Sequence, residues 1–142
     1  MTTSITKTAF FNATKQTVWS YLTNKDKLGE WYYPAMADLA PGEDYCLYAL
    51  DEDGTQVTKV SGAVLVMEAP SKLVTSFVIG PFGSNSTTVT WLLEEAAGGT
   101  RLHLSHDGIA EASGDAALNL LMALDDGWDK HMAALRSSVH AG

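Results

Sequence analysis

A chain of 142 residues, 46% of them hydrophobic and 18% charged, has the composition of one globular domain, residues 1–142, able to bury roughly two-thirds of its unfolded surface. Seventeen acidic against nine basic side chains give a net charge of −8, and no Lys/Arg cluster offers a phosphate track, which argues against nucleic acid and anionic membranes as partners. No apolar run reaches the ~20 residues of a membrane-spanning helix.

The opening "MTTSITKTAFFNA" has one Lys and no apolar core followed by a small-residue cleavage site, so it does not read as a secretory signal, and a cytoplasmic location is expected. The triplets Asn12-Ala13-Thr14 and Asn85-Ser86-Thr87 then read as chance matches to a glycosylation signal. The lone Cys46 has no partner for an internal disulfide and is expected as a buried small apolar residue.

Polar and apolar residues alternate from Ser4 to Phe10, which predicts a first strand. A helix follows with Val18, Trp19 and Leu22 as its apolar stripe and Asn12 or Thr14 as N-cap. Thr23 with Asp26 resembles a capping box for a second short helix, whose Leu28 and Trp31 face inward before the Pro34 region ends it. There the stretch "WYYP" sets Trp31, Tyr32 and Tyr33 side by side. Adjacent residues diverge by about 100° on a helix and alternate on a strand, so the three rings cannot all enter one core.

From Asp44 to His106, turn clusters at 51–54, 69–72, 80–86 and 95–99 separate five runs rich in β-formers, "YCLYAL", "VTKVSGAVLVM", "LVTSFVI", "TTVTWLL" and "TRLHLSH". They predict an antiparallel meander, six strands with the first. After Ser113, Leu121, Leu124, Trp128, Met132, Leu135 and Val139 recur at steps of three and four, which predicts one long amphipathic helix. This order predicts an α+β architecture in which a curved sheet covers its apolar face with the last helix, leaving space for a small apolar ligand between them.

The stretches "ATKQTVWSYLTNKDKLGEWYYP", "VTWLLEEAAGGTRLHLSHDG" and "DDGWDKHMAAL" resemble the activator of heat-shock-protein-90 ATPase homologue-like family, over nearly the whole chain. The resemblance implies the helix-grip fold of the SRPBCC, START or Bet v 1-like superfamily: about six antiparallel strands wrapped around a long C-terminal helix, with two short helices after the first strand. It also implies a hydrophobic cavity and, for a few members, a cochaperone role.

Trp31 is expected to pack inward while Tyr32 or Tyr33 lines the cavity mouth. Phe77, Trp91, Trp128 and Leu121 are candidate walls, and Phe82, in the glycine-containing loop 80–86, a candidate gate. His106 shares the face of Leu102 and Leu104 and is read as a satisfied core histidine or as a polar anchor for a ligand. His103, three residues earlier on the strand, points to the other face, so the pair cannot chelate one metal. "DEDGTQ" lacks the glycine and closing glutamate of a calcium loop and reads as a hairpin turn, and Asp125, Asp126 and Asp129 read as a solvated helix flank. Gly127, inside the last helix, predicts a close approach that only glycine permits.

No nucleophile elbow, phosphate loop, dinucleotide fingerprint or metal-ligand set is present, so no cofactor or catalytic residue is assigned. The expected function is binding of a small hydrophobic molecule by a monomer or homodimer. The alternatives are a cyclase, aromatase or hydrolase-like enzyme using His106 and a pocket tyrosine, and a cochaperone-like interaction domain.

Overall fold

The computed structural model describes residues 3–141, and its strands follow the alternation of the sequence. They are β1 (Ser4–Phe11), β2 (Asp44–Leu50), β3 (Gln56–Glu68), β4 (Lys72–Phe77), β5 (Thr87–Ala96) and β6 (Gly99–Asp107). Their antiparallel order β1-β6-β5-β4-β3-β2 makes one six-stranded sheet with β1 and β2 at its edges. Every second residue enters the core: Leu73, Thr75 and Phe77 on β4, then Thr87, Val89, Trp91 and Leu93 on β5, then Thr100, Leu102, Leu104 and His106 on β6. Each full burial of a large apolar side chain contributes about 2 kcal/mol or more.

The sheet bends where β3 passes β4. The register shifts between Val64 and Val66, and an isolated bridge joins Ser61 to Val78 beyond the gap. Beside the shift, Gly62 lets the two strands approach closely, because a Cβ there would collide with the Ser76 carbonyl oxygen. The interrupted groups find other partners: the Ala63 N–H donates to Ser76 Oγ at 2.8 Å, and the Ser76 carbonyl accepts from the Tyr45 hydroxyl at 2.6 Å. Such bulges sharpen twist and curvature, and here they turn the sheet around its helix. The β2–β3 connection is the expected hairpin, with Asp51 Oδ1 accepting from the N–H groups of Asp53 and Thr55.

Between β1 and β2 lie α1 (Lys15–Thr23) and α2 (Lys25–Trp31). Thr14 caps α1, its hydroxyl oxygen accepting from the Thr17 N–H. The buried face of α1 is Val18, Tyr21 and Leu22, so Tyr21 enters the core more fully than the expected Trp19, which is half-buried. The cap of α2 also differs from the Thr23 expectation. Asn24 Oδ1 accepts from Asp26 and Lys27 N–H at 3.0 Å each, while the Thr23 hydroxyl donates back to the Trp19 carbonyl. Asn is the better cap because its carbonyl reaches two orphan donors at once.

After β6 a short α3 (Ile109–Ser113) leads to α4 (Ala117–Ala141), which buries Trp128, Met132, Leu135 and Val139 against the sheet and leaves Leu121 and Leu124 half-buried. The arrangement is the helix-grip fold. Gly127 corrects one expectation: a Cβ there would meet nothing within 4 Å, so no close approach demands glycine. Cys46 corrects another, being half-buried, with its sulfur 3.5 Å from Thr58 Oγ1. The acidic flank of α4 is exposed as expected, with Asp125 and Asp129 bridging to Lys7 of β1 and Asp126 to Lys130.

Candidate functional site

Five candidate aromatic residues converge between the sheet and α4. Trp31, Phe77, Trp91 and Trp128 are buried, and Tyr32 is half-buried. Trp91 stands edge-on to Trp31 at 6.0 Å and to Trp128 at 5.7 Å, while Phe77 tilts against Trp128 at 6.0 Å between ring centres. These spacings fall in the favoured range for aromatic pairs.

Under Tyr32 these rings line a hollow of about 410 Å³ with its open mouth included, of which only about 40 Å³ admits the centres of water-sized molecules. That is room for a few waters at most, since one water needs about 10–15 Å³ on the same measure. The rest of the lining includes Leu22, Leu28, Leu39, Leu47, Leu73 and Val89, with Tyr45 and Thr75 as polar exceptions. Tyr32 and Leu39 are half-buried and the other lining residues buried, which puts the mouth at Tyr32 and Leu39.

Tyr32 is the C-cap of α2 and packs against four rings. Its centroid lies 5.4 Å from Trp31 in a stacked pair, 5.8 Å from Trp128, 4.8 Å from Tyr33 and 4.5 Å from His131. Burial, then the neighbouring phenols of Tyr33 and Tyr45, raise its hydroxyl well above the ordinary tyrosine value. Burial lowers the His131 imidazole below its ordinary value, against the opposing pull of the Trp31 backbone. Tyr33 lies tilted against Tyr32 without lining the hollow, so the three adjacent rings divide into one core residue, one cap and one outer layer.

His106 lies outside the hollow and both of its nitrogens are engaged. The indole N–H of Trp128 donates to Nδ1 at 3.0 Å. Because an indole nitrogen only donates, Nδ1 carries no proton, and the neutral ring must hold its proton on Nε2. Nε2–H then donates to Thr87 Oγ1 at 2.8 Å, and the Thr87 hydroxyl donates to the Phe77 carbonyl at 2.7 Å. Fully buried, the imidazole is pushed down to about 4 by the loss of hydration, with Asp107 opposing. It is neutral at pH 7 and fixes the rotation of Trp128, a wall of the hollow. His103 lies on the other face, beside Thr8 Oγ1 at 3.0 Å.

Phe82 and Leu121 are also not brought to the hollow. Phe82 is buried in a turn of 3-10 helix, 6.4 Å from the His106 ring, where it anchors the 80–86 loop. Leu121 borders a shallow surface depression with Ile5 and Met122. Conversely, Tyr45 and Thr75 line the hollow and were not among the sequence candidates. Their signal was alternation: Tyr45 shares a face with Leu47, and Thr75 stands between Leu73 and Phe77.

Residues 12–140 match the family described as Activator of Hsp90 ATPase homolog 1-like protein. The chain belongs to this family. Among solved structures, CalU16 from Micromonospora echinospora is 24% identical with a TM-score of 0.76, over 97% of this chain and 76% of that one. Protein MLL2253 from Mesorhizobium loti is 18% identical with a TM-score of 0.79, over 98% of both chains. DynU16, described as a putative protein in the dynemicin biosynthetic locus, is 17% identical with a TM-score of 0.77, over 96% of this chain and 47% of that one. At these identities the likeness concerns the fold. No curated protein matches the chain. Among the described residues no helix is long and apolar enough to cross a membrane.

Proposed function

We propose that this protein binds a small hydrophobic molecule in the hollow between the sheet and α4. The observation that carries the reading is a lining of apolar and aromatic side chains that closes at a single half-exposed ring, Tyr32. Drug-sized ligands occupy sites of about 300–1,000 Å³, so a guest enters by displacing Tyr32 and taking over its contacts with Trp31 and Trp128. The free Cys46 supports a reducing compartment such as the cytoplasm. A catalytic reading built on His106 gains no support from the geometry, since its nitrogens serve Trp128 and Thr87.

Native mass spectrometry of the freshly purified protein, beside the same protein unfolded and extracted, tests for a resident molecule. Titration with the neutral probe N-phenyl-1-naphthylamine tests the hollow directly. Saturable fluorescence enhancement that is lost in Trp128→Ala, with the fold retained by circular dichroism, is expected. No saturable binding and no co-purified molecule refute the reading.

A further inference from the structure

Thr75 and Tyr45 give the hollow a polar point, joined by one long contact. Thr75 lies on the inward face of β4 between two apolar residues and is only 5% exposed. Among the described residues, the hydrogen-bond neighbour of its side-chain oxygen is the Tyr45 hydroxyl at 3.5 Å, which is long for an O–H···O contact. The Tyr45 proton is already committed. Where the ladder is interrupted at Ala63, whose N–H turns to Ser76 Oγ, the Ser76 carbonyl is free of that strand pairing, and the Tyr45 hydroxyl satisfies it at 2.6 Å. The Thr75 proton goes to the Tyr45 oxygen over this long contact, and the Thr75 oxygen faces the hollow as an acceptor.

Valine has nearly the same shape and would occupy this position without burying a hydroxyl whose hydrogen bond is long. The lining is also free of formal charge: no Lys, Arg, Asp, Glu or His contributes to it among the described residues. An ionised guest would lose its hydration there without gaining a partner. We propose that the Thr75 hydroxyl is the polar anchor of the hollow, and that the ligand is a neutral, planar aromatic molecule with one hydrogen-bonding group, of the phenol class. This rests on the binding reading above. Planarity follows from the walls: the guest replaces the Tyr32 ring, which is stacked at 21° on Trp31. The phenol of Tyr45, pushed up to about 12 by burial, stays neutral beside it.

Equilibrium dialysis at pH 7 against naphthalene, 2-naphthol and 2-naphthoate tests the assignment, using the wild-type chain, Thr75→Val and Thr75→Ser. One net hydrogen bond corresponds to about a fivefold gain. The wild type should therefore bind 2-naphthol about fivefold tighter than naphthalene, and 2-naphthoate at least about a hundredfold weaker than 2-naphthol. The 2-naphthol preference should vanish in Thr75→Val and persist in Thr75→Ser. A preference that survives in Thr75→Val, or naphthoate binding as tight as naphthol, overturns the anchor. Naphthalene and 2-naphthol binding equally well to the wild type leave the binding reading standing and overturn the anchor alone. Failure of all three probes overturns both.

Discussion

His106 makes the stability of this fold depend on pH in a way that can be isolated. Its folded value of about 4 lies below the ordinary 6.5 because burial disfavours the cation. The folded protein therefore holds the imidazole neutral while the unfolded chain takes up a proton, and stability falls as pH drops through this interval. The contribution is complete above pH 6.5. With these two values the loss relative to pH 8 is about 2 kcal/mol at pH 5 and about 3 kcal/mol at pH 4. Carboxylates and His131 also titrate on acidification, so the comparison must be with His106→Gln. Gln keeps an acceptor for Trp128 and a donor for Thr87 but has no proton to gain in this range. Urea denaturation of both proteins at pH 8, 6.5 and 5, followed by circular dichroism, gives the difference directly. The gap between wild type and variant should shift by about 2 kcal/mol toward the variant between pH 8 and pH 5. Parallel stability curves would show that the imidazole keeps its ordinary affinity for protons, and would refute the Trp128–His106–Thr87 chain as the dominant state.

Gly127→Ala should stabilise the protein by about 1 kcal/mol in urea denaturation, because the added Cβ meets open space and α4 gains a better helix former. Gly62→Ala should cost about 3 kcal/mol, since the new methyl collides with the Ser76 carbonyl and with backbone that cannot step aside. Its amide exchange should speed up first around Ala63 and Ser76. Asn24→Ala removes a cap that serves two N–H groups and should cost about 1 kcal/mol in the same denaturation assay, with Thr23→Ala smaller because Thr23 is not the α2 cap.

Periodicity alone located the six strands and α4, because inward residues recur at two on β4 to β6 and near 3.6 on α4. It also placed His106 inward and His103 outward. What it could not supply is position along an element. Leu121 obeys the α4 stripe, yet it lies at the helix end beyond the ring cluster and borders only a shallow depression beside β1. Phe82 belongs to no period, and its burial follows from how its loop packs on α3, with Asn85 Nδ2 donating to the Ala112 carbonyl. By pattern alone Thr75 is one more strand threonine. Its place beside Tyr45 appears only when the interrupted ladder at Ala63 is known, since the Ser76 carbonyl freed there takes the Tyr45 proton.

The row Trp31, Tyr32 and Tyr33 also sets how the hollow opens. Stacking of two neighbours at 21° cannot occur within a continuing helix, where they diverge by about 100°, so α2 must end between them. It does, with Tyr32 leaving helical geometry while its N–H still donates to the Leu28 carbonyl at 2.9 Å. Two residues later the chain is fixed again: the Tyr48 N–H donates to the Pro34 carbonyl and the Met36 N–H to the Cys46 carbonyl, covering part of the β2 edge. Gly29 lets Pro34 fold back this closely, since a Cβ there would lie 3.1 Å from Pro34 Cβ. The backbone around Tyr32 is thus held on both sides, and its own side-chain torsions are the soft degree of freedom at the mouth. Amide exchange at Tyr32, Met36 and Tyr48 should stay equally slow when N-phenyl-1-naphthylamine binds, while the ring signals of Tyr32 shift. Faster exchange at those amides on binding would mean that the α2–β2 segment opens as a flap, and that the ring alone is not the gate.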